Sequence, residues 1–247
     1  MLNLLFIEIV KLKRSKLFMV SLLGAMVVPI MMFFMLTGMR ARNPENIITF
    51  ENYFKQTDIF ILLMIGTLLF GLLATYVFNR EYQEETLKNL LTIPVGRKSL
   101  IISKLLVVLI VILTWMLVSF LLTLILGLLG RFEQLSVEIL GKWLQLYLYS
   151  GLLMFLLTPS VILITLLFKN YIAAIGFTIA VSVVSIIVAQ SEYVLIYPWT
   201  VPGIIAIPDL FVETEKFTMI HSWISLGLSF ILPLTAGTIY FEKTDIN

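Results

Sequence analysis

The sequence predicts an all-α, polytopic membrane protein with six transmembrane helices, organised as a single membrane domain over residues 1–247. Two observations carry this. Of 247 residues, 60% are hydrophobic and 13% charged, and the apolar residues come in runs rather than in alternation, which separates the chain from soluble globular proteins. Six of these runs reach spanning length, at roughly 17–39, 59–79, 100–129, 143–168, 171–189 and 220–241, against the ~20 residues that cross a ~30 Å hydrocarbon core.

Residues 1–16 place Leu2, Leu5, Phe6, Ile9, Val10 and Leu12 on one helical face and Glu8, Lys11, Arg14 and Ser15 opposite. This predicts an amphipathic helix in the membrane interface. The run from Leu17 to Met39 is longer than a signal-peptide apolar segment and has no convincing small-residue cleavage site, so it reads as a retained span. Its methionines, Met26, Met31, Met32, Met35 and Met39, read as lipid or bundle contacts. In the second span Gly66, Gly71, Ala74 and Thr75, and in the last Ser222, Ser225 and Ser229, put small groups on one helical face and predict close helix packing. Pro29, Pro159 and Pro233 fall inside spans as candidate kinks.

Between the second and third spans lies Arg80–Ser99, a polar interval with a helical period. At 100° per residue Glu81, Glu84, Glu85, Lys88, Asn89 and Thr92 share one arc, and Tyr82, Thr86, Leu87, Leu90, Leu91 and Ile93 the other. Pro94 and Gly96 close this amphipathic surface helix, and Arg97 and Lys98 precede the next run. The third span, at about 30 residues, predicts a tilt or bend. Only Lys169 and Asn170 separate the fourth and fifth spans, which predicts a tight helical hairpin.

The interval 190–219 is apolar from Val194 to Ile207, too short to cross, and interrupted by Pro198, Pro202 and Pro208. A re-entrant or interface-lying segment fits it, with Tyr193, Tyr197, Trp199, Trp143 and Trp223 expected in an aromatic belt. Cation placement orients the chain. With the amino terminus inside, Lys11, Lys13, Arg14, Lys16, Arg80, Lys88, Arg97, Lys98, Lys104, Lys169 and Lys243 lie on the inner side, and Arg40, Arg42, Lys55, Arg131, Lys142 and Lys216 on the outer. Both termini and the Arg80–Ser99 stretch are therefore expected in the cytoplasm of a cell membrane.

Several function classes lose support. The net charge of +2 and the scattered cations give no nucleic-acid face. Zero cysteines exclude disulfides, thiolate metal sites and a cysteine nucleophile. The six expected cores carry no ionisable group, which argues against catalysis or ion coupling in the bilayer. The single histidine, His221, sits at the end of the last span and reads as structural. There is no GxxxxGK[ST] phosphate loop. Glu84, Glu85 and the Phe217/His221 pair mimic two pieces of an intramembrane CAAX-type protease. However, Lys88 or Asn89 stands where arginine is wanted, a second histidine is missing, and the pieces fall on opposite sides of the membrane.

The assembled layout resembles the type-2 ATP-binding-cassette permease family, and most of all the small permeases of bacitracin-resistance and lantibiotic-immunity transporters. Its most specific piece is EYQEETLKNLLTIPVGR, similar to that family's acidic GTLKxLLxxP-x-x-R segment, with Thr86, Leu87, Lys88, Leu90, Leu91, Pro94 and Arg97 matching and Glu85 standing where glycine is frequent. The second piece is YPWTVP, with Tyr197, Pro198, Trp199 and Pro202 in the segment before the last span. The resemblance implies a non-catalytic exporter subunit whose energy comes from a separate soluble ATPase, in two copies, that binds ATP and magnesium. It also implies a second permease chain paired with this one around a central path, and no cofactor in the chain itself. Glu81, Glu84, Glu85 and Lys88 would then face the ATPase while the apolar arc grips the bundle. An ATP-independent secondary transporter or channel, and a membrane immunity factor that sequesters a toxin, are the competing classes.

Overall fold

In the computed structural model, residues 2–13, 15–43, 45, 47–83, 96–207 and 217–243 are described, and nearly all of them are helical. Helix α1 runs Leu2–Lys13 and α2 Lys16–Arg42; α3, Phe50–Phe60, passes through a π-helical turn at Ile61–Ile65 into α4, Gly66–Gln83. Then follow α5, Arg97–Leu129; α6, Val137–Phe155; α7, Thr158–Phe168; α8, Tyr171–Val188; a 3₁₀ turn at Glu192–Leu195; α9, Val201–Ala206; and α10, Met219–Lys243. Among the described residues the only extended pairing is an isolated bridge between Thr49 and Glu133, which ties the connection before α3 to that before α6.

Among the described residues, six helical bodies are long and apolar enough to cross a bilayer: Phe18–Arg42, Phe50–Arg80, Lys98–Leu129, Val137–Phe168, Tyr171–Val188 and Met219–Phe241. Two boundaries differ from hydropathy. The second body begins at Phe50 rather than 59 because Thr49 caps it, its hydroxyl accepting from Asn52 N–H, and Phe50, Tyr53, Phe54, Thr57 and Asp58 form a buried face. The fourth begins at Val137, capped by Ser136. The two-residue hairpin is as expected: Lys169 takes a left-handed conformation (φ 50°) to end α7, and Asn170 caps α8 through Ile172 N–H. At 33 residues, α5 is about 50 Å long, well beyond the hydrocarbon thickness.

The three intramembrane prolines share one solution. A proline has no N–H for the carbonyl four residues earlier, and in a dry bundle that oxygen needs another donor. For Pro29 the orphan is Ala25 O, which accepts from Ser119 Oγ of α5 at 2.8 Å. For Pro233 it is Ser229 O, which accepts from Ser160 Oγ of α7 at 3.1 Å. For Pro159 it is Phe155 O, which accepts from Thr158 Oγ1 at 2.7 Å. Here the fourth span breaks into α6 and α7, while α2 and α10 run on through their prolines.

Small residues mark close approach, as expected. A Cβ on Gly71 would overlap the Thr178 side chain, so α4 and α8 meet there nearly backbone to backbone. Ala74 and Thr75 are fully buried. Of the first-span methionines Met32 is fully buried, whereas Met31, Met35 and Met39 are exposed on the apolar surface of α2.

Candidate functional site

Two places hold the buried lysine and the buried aspartate of a bundle whose other buried polar side chains among the described residues, Asn79 apart, are serines and threonines. The first is at the end of the bundle where α1 lies. Lys104 of α5 is almost fully buried, donates to Val77 O of α4 at 2.7 Å and lies 3.7 Å from Glu8 Oε2 of α1. Glu8 also accepts from Lys11 at 3.0 Å, and Arg80 Nη1 of α4 donates to Lys11 O at 3.1 Å. Asn79, fully buried beside Arg80, has neither amide atom partnered. Helix α1 is thus fastened to α4 and α5 by charge-assisted bonds. On α1 the expected apolar residues Leu5, Ile9 and Leu12 pack on the bundle, Glu8 also turns toward it, and Phe6 and Ile7 are exposed.

The second place is a polar patch inside the opposite half of the bundle, and it corrects the expectation that the spans hold no ionisable group. Asp58 of α3 has no exposed surface, and Ser150 Oγ of α6 donates to its Oδ2 at 2.7 Å. Its other oxygen, Oδ1, has no partner. Around it Tyr147 Oη donates to Phe54 O at 3.2 Å, Tyr53 Oη to Pro29 O at 2.7 Å, and Thr57 and Thr123 bond back to their own helices. Aromatic rings wall the patch off: Phe54 stacks on Phe120 at 5.1 Å and on Trp143 at 6.2 Å, and Tyr53 meets Phe132 edge-on at 5.0 Å. A lone ionised carboxylate here would cost several kcal/mol in solvation.

One turn beyond Asp58 the helix widens into the Ile61–Ile65 π turn. Thr67 Oγ1 donates to Leu62 O, five residues back, and a Cβ at Gly66 would strike Ile61 O. Irregular turns of this kind inside long helices recur at functional sites.

The segment before the last span packs inward. Thr200, Val201 and Ile204 are buried, as are Trp199 and Pro202, with Tyr197 and Pro198 half-buried at the rim. The serine row of α10 holds the segment by its backbone: Ser222 Oγ donates to Leu195 O and Ser225 Oγ to Ile196 O, both at 2.6 Å. Tyr197 Oη donates to Val181 O of α8, and burial raises the pKa of this phenol above its ordinary value. The aromatic belt is corrected in part. Tyr193 and Trp223 are exposed, but Trp143 and Trp199 belong to the packed interior. His221 Nδ1 accepts from Thr218 N–H at the start of α10, and its ring meets Phe217 edge-on, a local structural role.

Of the expected coupling residues, Glu84, Glu85, Thr86, Leu87, Lys88, Leu90, Leu91 and Pro94 lie outside the described residues. Glu81 and Arg97 are described as helical backbone, in α4 and α5, with Gly96 capping the latter. Asp58 was missed because Lys55–Asp58 reads as a polar approach to the apolar run. The signal that finds it is the threonine cap at position 49 with Phe50, Tyr53, Phe54 and Thr57 at helical spacing.

Residues 4–185 match the family model described as ABC-2 family transporter protein. The chain is also 44% identical, over 208 residues, to the bacitracin transport permease protein BCRB of Bacillus licheniformis, an alignment covering 84% of this chain and 99% of that protein.

Proposed function

Since the chain belongs to the ABC-2 transporter family and is a transmembrane permease subunit with an ATPase partner, we propose that it exports bacitracin-like amphipathic peptides or lipid-like compounds and performs no chemistry itself. The observation that carries the reading is the 44% identity to a bacitracin transport permease over 99% of that protein's length. Two copies of a separate ATPase would bind ATP and magnesium, and two permease chains would pair around the path. Both termini and Arg80–Ser99 would face the cytoplasm, consistent with the excess of Lys and Arg assigned to that side. The acidic arc of Glu81, Glu84 and Glu85 would rest on the ATPase, since anionic headgroups repel it. The buried fastening of α1 to α4 and α5 through Glu8, Lys104 and Arg80 supports a rigid body that would pass an ATP-driven movement of the ATPase to three helices together.

The test is bacitracin tolerance of a sensitive bacterial host expressing this chain with and without its cognate ATPase. The expected outcome is tolerance that needs both chains and an intact phosphate-binding lysine in the ATPase. Tolerance from this chain alone favours sequestration of the toxin, and no protection by both chains removes the assigned substrate class.

A further inference from the structure

We infer that Asp58 is a proton-binding site within the membrane domain, occupied in this conformation, and that it releases its proton when α3 separates from α6. The argument is geometric. The carboxyl has no exposed surface, its Oδ1 lacks any donor, and its one close polar contact is Ser150 Oγ at 2.7 Å. An ionised carboxylate shares its charge between both oxygens and requires donors at each or a cation nearby. Neither is present. A neutral acid is served by the single contact, because a carboxylic acid and a hydroxyl bond in either direction.

The groups facing Asp58 from each packed element bear this out. On α3 itself they are Tyr53, bonded to Pro29 O, and Lys55, half-buried one helical turn before Asp58 and forming no ion pair with it. From α6 the titratable group is Tyr147, bonded to Phe54 O; Lys142 lies further out, paired with Glu51 at 2.7 Å. From α5 the contribution is Phe120 and Thr123, and from α2 the Pro29 carbonyl, with Arg40 directed to Gly130 O at the helix end. Among the described residues no cation pairs with the acid to draw its proton off.

Separation of α3 from α6 would break the Ser150 contact and admit water to the carboxyl. The O–H bond then opens, the electron pair stays as carboxylate, and the proton passes to water. The π turn at Ile61–Ile65, next to Asp58, is where α3 can swing without unwinding α4. The closed form holds one proton more than the open form, so raising pH favours opening, by up to about tenfold per pH unit for one proton.

Two measurements on the full chain in lipid vesicles test this. Infrared difference spectra of wild type against Asp58→Asn at neutral pH should show loss of one protonated-carboxyl stretch, and in Ser150→Ala that band should move to higher frequency. Loss of ionised-carboxylate bands instead, as for a carboxylate neutralised by a bound cation, overturns the assignment. The Ser150→Ala spectrum decides the matter if Asp58→Asn fails to fold. Because the chain has no cysteine, spin labels on Asn52→Cys and Val137→Cys can report the spacing of α3 and α6. The longer-distance population should grow with pH in wild type and be independent of pH with Asp58→Asn. An equal response in both, or none in wild type, overturns the release step.

Discussion

The pairing of each intramembrane proline with a hydroxyl is specific enough to test one atom at a time. Ser119→Ala removes the donor to Ala25 O and should cost about 1 kcal/mol, a value typical of hydrogen bonds inside helical membrane bundles. Pro29→Ala in that background supplies a backbone N–H to the same oxygen and should restore most of the loss. Thermal unfolding of the two variants in detergent checks this, and an additive pair of losses would show that the serine and proline act independently. All three prolines were legible as candidate kinks, because their place within apolar runs is enough. Their partners were not, since Ser119 and Ser160 lie on other helices and nothing local marks which serine meets which carbonyl. Asp58 was hidden for a different reason. A hydropathy window averages a buried acid with its polar neighbours and moves the span boundary past it, whereas the burial of one face depends on what α6 presents to it.

Among the elements, the π turn joining α3 to α4 depends on Gly66. A Cβ there meets Ile61 O, an oxygen fixed in the backbone, so Gly66→Ala should lower stability by about 1–3 kcal/mol as overpacking does and disturb the turn beside Asp58. Gly176→Ala in α8, where a Cβ meets nothing within 4 Å, is the control and should be neutral or slightly stabilising, alanine being the better helix former. Unequal shifts in unfolding temperature are the expected outcome, and equal ones would show that the widened turn tolerates a side chain. The number, order and approximate length of the spans were readable because length and hydropathy are properties of one segment. The start of α3 about two and a half turns earlier than hydropathy places it, and the inward turn of Glu8 on α1, were not, for they are set by contacts with α5 and α6. Glu8 looks like a surface residue until Lys104 is brought under it.

At the scale of the whole molecule the remaining question is how a chain whose sequence carries no GxxxxGK[ST] phosphate loop receives energy. Glu84→Lys combined with Glu85→Lys reverses the acidic arc, and loss of co-purification with the ATPase, or of its stimulated ATP turnover, is the expected outcome. Unchanged assembly and turnover would remove these glutamates from the docking surface. Family membership was legible from the order of elements and from two short motifs, while the fastening of α1 and the inward fold of residues 192–207 needed the assembled bundle. The two-residue turn at Lys169–Asn170 also bears on biosynthesis. Two connecting residues leave no slack in the chain between the helices they join, so the placement of one in the bilayer constrains the other. The fourth span, α6 with α7, and α8 are therefore expected to enter the bilayer as a hairpin, and a few residues added at this turn should loosen that coupling.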